Sequence, residues 1–346
     1  MAERATFHTI ANARYFQGLV ALLNSLRLTG HDQELKVLDL GLTPQQRERL
    51  ADHVTLVKLP DELGHPVFMK PYAHRLSSTG TVVIIDCDMI VTASLDEPLA
   101  DAAAGKIAVF SDHESTRDRW FAEWETEFQL SGPPRRQEYV NAGFVAVSQE
   151  HWPGFLSRWA AACELLQADR YAVLPPFLPR RAAMDREPSW AGDQDALNAI
   201  LMAELTQESL AIRPHTQQPD WLDEVEVVDE RTLACRYRGD PTLILHLSLA
   251  PKPWEPTGWR RTKRNAYVRL LSRVLLAEDV AVRLDPAELP LWLRDTRQGR
   301  LTLAALDGRR RTLDALERVL RGGSQRLPAT VRKPLLGLRD RLSQRG

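Results

Sequence analysis

The chain has 346 residues, 44% of them hydrophobic, enough to fill a sizeable core and too many for a chain disordered throughout. Its 45 Lys+Arg nearly cancel its 46 Asp+Glu, so the whole-chain balance argues neither for a nucleic-acid binder nor for an acidic-tail protein. The balance is uneven along the chain: residues 260–346 hold 21 Lys+Arg against 9 Asp+Glu, a net charge of +12, so residues 1–259 carry −13.

Up to about Phe110, short apolar runs alternate with helical patterns, the signature of a mostly parallel sheet covered by helices. Thr6–Ile10 reads as a first strand, and Tyr15–Leu28 as a helix with Phe16, Leu19, Val20, Leu23 and Leu26 at helical spacing. Leu35–Leu40 is a second strand; Thr43 then caps a polar helix that opens with Pro44. Val54–Leu59 is a third strand. A helix near Lys70–Ser78 leads into Thr81–Ile85, the most strand-like stretch of the chain, and then into Asp86-Cys87-Asp88. Lys106–Phe110 and Tyr139–Ser148 are further strands, on either side of a charged segment bearing Trp120 and Trp124. A helix over His151–Ala168, an irregular loop marked by Pro175, Pro176, Pro179 and Pro188, a helix over Asp193–Leu205 and a last strand at Leu243–Leu247 follow. Beyond Trp259 short Arg-rich helices with Gly and Pro breaks are expected, as an appendage to the main domain.

Three cysteines, Cys87, Cys163 and Cys235, cannot form a fully paired framework and lack the CxxC spacing of a zinc site, so a reducing compartment is expected. The N-terminus carries no signal-peptide pattern, and no apolar run approaches the ~18 to 20 residues that span a bilayer. The expected location is cytoplasmic.

A bare Asp-x-Asp says little, and a second one occurs at Asp193–Asp195. The first is distinguished by its place at the C-terminal end of a buried-looking strand, where open α/β sheets hold their ligands. Two carboxylates there offer hard oxygen ligands to Mg²⁺ or Mn²⁺; two solvated acids ending a strand are the plainer account. A phosphatase of the haloacid-dehalogenase type also follows a strand with Asp-x-Asp, but Met89 and Ile90 do not suit its phosphate-gripping turn. His246 and Lys252 stand six residues apart on one loop and could address a metal diphosphate, or be a structural histidine and a solvated lysine. Asn141-Ala142-Gly143 places an amide and a glycine inside an apolar strand, as a ligand site or a bulge does. Asp193-Gln194-Asp195 is explained by helix capping alone.

Read in order, these segments resemble the family 8 retaining glycosyltransferases over roughly residues 5–260. The resemblance is carried by Tyr15 with Asn24-Ser25-Leu26, by VLDLGLTPQQRERL, by VVIIDCDMIV, by YVNAGFVAVS, by GDQDALN, and by His246, Lys252, Pro253 and Trp254 at the spacing of the family's closing motif. Leu249 stands where that motif has Gly.

The resemblance implies a GT-A fold, a Rossmann-like, mostly parallel mixed sheet flanked by helices, as a domain over 1–260 followed by a basic helical extension over 261–346. It implies Mn²⁺, with Mg²⁺ as the alternative, held by Asp86, Asp88 and His246 against a nucleotide-sugar, with Lys252 also reaching the phosphates. Thr9, Asn12, Tyr15 and Cys87 are then expected at the nucleotide, Tyr15 as the stacking face. Lys70, Arg75, Asp112, Asn141 and Ala142 are expected around the donor sugar, with Asp193 and Gln194. The implied reaction is retaining transfer from a nucleotide-sugar, UDP-linked by analogy, to a glycan or glycolipid. Front-face attack is favoured, because Gln194 is a poor nucleophile; Asp193 and Gln194 then hold geometry while Lys252 meets developing charge. Trp120 and Trp124 are either acceptor platforms or core. The cations of the C-terminal part, beside Leu335, Leu338 and Leu342 at helical spacing, suit peripheral contact with an anionic membrane, and equally an ordinary solvated appendage. The competing class is a sugar-nucleotide-binding protein that has lost turnover, for which Leu249 and Asn12 speak.

Overall fold

The computed structural model describes residues 5–58, 66–77, 79–112, 116, 118–166, 187–219, 221–248, 251–260 and 262–323. Strands β1 (Thr6–Ala11), β2 (Leu35–Asp39), β3 (Thr55–Val57) and β4 (Thr81–Ile85) run parallel in the order β3-β2-β1-β4. Helix α1 (Phe16–Leu28) connects β1 to β2, and α2 (Pro44–Leu50) connects β2 to β3. Thr43 does cap α2, in a capping box with Gln46, ahead of Pro44. All five residues of β4 are buried, which is why this run of Val and Ile has no polar alternation. β5 (Met89–Val91) follows at once, then α3 (Asp96–Ala103) and β6 (Ile107–Ser111).

After α4 (Trp124–Glu127), β7 (Val140–Ser148) enters between β4 and β6, antiparallel to both. Helices α5 (Phe155–Glu164) and α6 (Asp193–Ala203) precede β8 (Leu210–Arg213), which lies parallel to β6. Among the described residues the sheet thus has seven strands, mostly parallel, in the order β3-β2-β1-β4-β7-β6-β8. A hairpin-like set of β9 (Glu226–Asp229), β10 (Ala234–Tyr237) and β11 (Asp240–Thr242) forms a small antiparallel sheet, and β12 (Ile244–His246) pairs with β5.

Several expected elements differ in detail. Pro66–Arg75 is a run of 3-10 turns rather than an α-helix, because Pro71 inside it has no N–H for an α-helical bond. α5 starts at Phe155 rather than His151, after turns around Pro153; Pro175, Pro176 and Pro179 lie outside the described residues. Trp124 is fully buried beside Phe128, Tyr139 and Trp159, so its role is core packing. Trp120 is half-buried, donates from Nε1 to Pro134 O (2.8 Å) and lies under the Arg136 guanidinium.

The larger difference is at the C-terminal end. Helix α7 (Ala266–Leu276) buries Tyr267, Val268, Leu270, Leu271, Val274 and Leu275 in the same core cluster as Leu19, Leu22 and Leu23 of α1. Between the two helices, buried Asn24 donates to Val274 O (2.6 Å) and Val282 O (2.8 Å) and accepts from Val282 N (3.0 Å). The core cluster continues through Leu284, Leu289 and Leu293, so the expected boundary at residue 260 falls inside it. The expected short helical pieces are present as α7 and as the 3-10 turns Pro286–Glu288 and Leu291–Leu293, but the last element, α8 (Arg297–Gly323), is a long helix of 27 residues. Leu335, Leu338 and Leu342 lie outside the described residues. No helix among the described residues is long and apolar enough to cross a membrane.

Candidate active site

The site begins where β4 ends. Asp86 N donates to Gly143 O of β7 (2.9 Å), and Met89 N donates to Asp86 O (3.2 Å), closing a turn that brings the Asp86 and Asp88 carboxylates to one side. β5 then pairs with β12 in the register that sets His246 opposite Met89, and Leu247 N donates to Asp88 O (3.3 Å). His246 Nε2 consequently lies 3.2 Å from Asp88 Oδ1 and 3.5 Å from Asp86 Oδ2. One ligand atom from each of the three residues lies within 4.8 Å of the others. Gly143 makes room for this: a Cβ there would stand 2.9 Å from His246 Cε1 and 2.8 Å from Asn141 Oδ1. The glycine inside an apolar strand is a close-approach residue.

Two lysines serve the carboxylates. Lys252, with 1% of its surface exposed, places Nζ 2.7 Å from Asp88 Oδ2 and also donates to Leu247 O. Burial alone would raise the pKa of Asp88, but the Lys252 ammonium and His246 outweigh it and hold the carboxyl well below the usual range. Lys70 Nζ lies 2.9 Å from Asp86 Oδ1 and 3.1 Å from Asp193 Oδ2, so it bridges the motif and the start of α6. Burial opposes the Lys70 charge, yet Asp193 and Asp86 together carry its pKa upward. Asp193 is raised, because burial and the Asp86 charge exceed what Lys70 returns. Arg75 sits elsewhere, exposed, its guanidinium 4.6 Å from the Tyr72 ring centroid. Of the two expected cations, the geometry favours Lys70.

On the other side of the cluster five residues share one hydrogen-bond network. Asp112 Oδ1 accepts from Asn141 Nδ2 (3.1 Å), and its Oδ2 accepts from Gln194 Nε2 (3.1 Å) and Thr116 Oγ1 (2.7 Å). Gln194 Oε1 accepts from Ala142 N (3.0 Å), so both ends of that amide are engaged. Asp193-Gln194-Asp195 divides three ways rather than merely capping a helix. Asp195 accepts from the local backbone at Ala191 N (2.6 Å), and it is held by Arg119 Nε (2.7 Å) and Tyr139 Oη (2.7 Å).

Around the opening of α1, Asn12 Oδ1 accepts from Arg14 N (3.0 Å), which caps the turn before the helix. The Tyr15 ring centroid is 5.7 Å from Lys252 Nζ, and burial with the Asp88 charge pushes its phenol up to about 12. Thr9 is buried, its Oγ1 without a hydrogen-bond partner among the described residues. Cys87 is a buried free thiol raised by burial and then by Asp88 and Asp86. Asn24-Ser25-Leu26 is structural: besides the Asn24 bonds, Ser25 Oγ accepts from Val91 N (3.0 Å) and so supports β5 from beneath. Leu249 lies outside the described residues.

Sequence reasoning missed two buried groups. Glu255, three residues after Lys252, accepts from Lys252 N (3.0 Å) and pairs with Arg14, fastening the lysine loop to α1; Trp254 Nε1 donates to Arg14 O (2.9 Å) beside it. Gln218, on the loop after β8, is placed against both Asn141 and His246. The Glu followed a motif and could have been read with it, whereas the Gln has no local signal.

Two carboxylates from the turn between β4 and β5 and an imidazole from β12 make a donor set that fits Mn²⁺ or Mg²⁺. No family model matches the sequence, and no curated protein matches it. Among solved structures, the apo bifunctional glycosyltransferase WbbM is similar with a TM-score of 0.51 and 13% identity, over 88% of this chain and 52% of that one. The chain thus spans about half the length of WbbM. The galactosyltransferase LgtC, in complex with donor and acceptor sugar analogs, gives a TM-score of 0.47 and 15% identity over 79% of this chain and 98% of its own. GlyE, a glycosyltransferase of Streptococcus pneumoniae, gives 0.42 and 15% over 74% and 57%. The chain therefore has the GT-A glycosyltransferase fold that its motifs led us to expect.

Proposed function

We propose that the protein is a metal-dependent retaining glycosyltransferase that moves a sugar from a nucleotide-sugar, UDP-linked by analogy, to a glycan or glycolipid acceptor. The observation that carries this reading is the convergence of Asp86, Asp88 and His246 with buried Lys252 and half-buried Lys70, at the strand ends where open α/β sheets bind ligands. Asp86, Asp88 and His246 would hold a divalent ion, which would supply Lewis-acid neutralisation of charge on a departing diphosphate. Lys252 is a fixed cation beside that position, and a preorganised donor of this kind is typically worth about 3 to 4 kcal/mol in a transition state. Lys70 holds Asp86 and Asp193 in fixed relation, which orients the donor sugar between the metal ligands and α6.

Retention requires either a nucleophile beneath the sugar or attack from the leaving-group face. Both ends of the Gln194 amide are engaged, and Asp193 is ion-paired with Lys70, so both residues are built to position rather than to attack. Front-face attack by the acceptor hydroxyl fits this arrangement. The arginines of α8 support contact with an anionic acceptor or membrane surface.

The test is release of nucleoside diphosphate from a panel of nucleotide-sugars with Mn²⁺ or EDTA, alongside thermal unfolding with the same ligands. A bound donor at 100 times its Kd raises unfolding free energy by about 2.7 kcal/mol. Mn²⁺-dependent release with one donor, lost in Asp88→Asn while the metal-free melting temperature is kept, is the expected result. Stabilisation by a donor without release would instead favour a sugar-nucleotide-binding protein.

A further inference from the structure

His246 turns Nε2 toward the two carboxylates, so its other ring nitrogen needs a partner of its own. The group facing that nitrogen is Gln218, whose Nε2 lies 3.5 Å from His246 Nδ1 and 3.1 Å from Asn141 Oδ1. Asn141 has its orientation fixed twice: Oδ1 accepts from Gly143 N (2.8 Å) and Nδ2 donates to Asp112 Oδ1 (3.1 Å). Gln218 must therefore offer Asn141 its amide nitrogen. Its own Oε1 is left buried with no hydrogen-bond partner among the described residues. The backbone beneath is held, with Gln218 N donating to His215 O (3.1 Å) and Leu243 N donating to Gln217 O (2.8 Å). The side chain is buried, so solvent does not replace the missing partner.

When Nε2 of an imidazole ligates a metal, the ring proton resides on Nδ1 and requires an acceptor. We infer that Gln218 is the positioning residue of His246: a half-turn of its amide presents the unpartnered Oε1 to Nδ1–H, fixing the ring with its Nε2 lone pair toward Asp86 and Asp88. The same turn sets Oε1 against Asn141 Oδ1 in place of the present bond (3.1 Å), so Asn141 must turn with it, offering Nδ2 to Gln218 and releasing its bonds to Gly143 N and Asp112. Ligation at His246 is thereby felt at Asn141, and through Asp112 at Gln194, so one amide joins the metal ligands to the donor-sugar side. This inference rests on the metal-dependent reading proposed above.

The experiment measures Mn²⁺ binding from the EPR signal of free Mn²⁺, with UDP present, for the unaltered protein, Gln218→Leu, Gln218→Glu and His246→Ala. Gln218→Leu is expected to weaken Mn²⁺ binding about 10- to 100-fold, the range for removing a partner of a ligating histidine. Gln218→Glu, with an acceptor in the same place, is expected to bind Mn²⁺ at least as tightly as the unaltered protein. Melting temperatures in EDTA show whether the fold is kept; should Gln218→Leu fail to fold, Gln218→Asn, whose amide falls one methylene short, carries the test. Unchanged affinity in the Gln218 variants, with binding lost in His246→Ala, overturns the role of Gln218 and leaves the metal site standing. Absence of Mn²⁺ binding by the unaltered protein overturns the metal reading itself, and the inference with it.

Discussion

His8 lies in β1 with its ring buried, Nε2 3.1 Å from Ser77 Oγ and Nδ1 without a hydrogen-bond partner among the described residues. Burial, reinforced by Lys36, lowers its pKa from 6.5 to about 3. The folded state therefore refuses a proton that the unfolded chain accepts. Stability is full above about 6.5 and falls as the pH drops toward about 3, by up to about 1.4 kcal/mol per unit. Unfolding free energies measured by denaturant between those limits should show this slope, and His8→Gln should reduce it; an unchanged slope would mean that His8 is not its source. At this scale the sequence was informative where chemistry and spacing coincide. Asp86, Asp88, His246, Lys252 and Gln194 are all found converging on one region. Gln218 was not readable, because a glutamine among Thr216 and Gln217 has no spacing or polarity that separates it from a loop. Arg75 shows the opposite failure, a cation at an attractive spacing that the 3-10 turns direct onto Tyr72.

Among the elements, α1 does the most to place the site while contributing no ligand of its own. Its Ser25 supports β5 and its Asn24 binds α7, so the strand beneath the Asp86–Met89 turn and the C-terminal helix share one support. Asn24→Ala would leave two buried carbonyls and one N–H without their partner, at a cost of about 2 to 4 kcal/mol. The expected result is a lower urea midpoint with an unchanged slope; a midpoint within error of the unaltered protein would show that water replaces the amide. Of the parallel strands, β4 was legible from its unbroken Val and Ile run and β1 to β3 from short apolar segments alternating with helical patterns, whereas the four-residue β8 was not read. β5 was not read either, since three residues directly after the Asp-x-Asp look like the end of that motif. α7 was obscured by averaging: Arg269 and Arg273 on its outer side gave the whole region the look of a basic appendage, while its Leu and Val residues face the core.

For the molecule as a whole, the core that runs through Leu293 predicts how it can be cut. A chain ended at Arg260 would expose the face of α1 that α7 covers, and is expected to lose cooperative unfolding. A chain ended at Thr296, which removes only α8 and the residues beyond it, should keep a cooperative thermal transition. If the shorter chain melts cooperatively at the temperature of the full one, the C-terminal part is a separate body after all. The strand order carries one more consequence, for association rather than catalysis. An open sheet has two rims at which a foreign strand can add and polymerise, and here these are β3 and β8. β3 is only three residues long, too short to template an intruder. β8 ends in Arg213, whose guanidinium is committed to Glu97 (2.6 Å) and Asp101 (2.5 Å) of α3, so a newcomer would meet fixed charge in place of a bare ladder. Both rims of the main sheet are thus blunted against edge-to-edge growth, a protection that comes from brevity on one side and from ionic anchoring on the other.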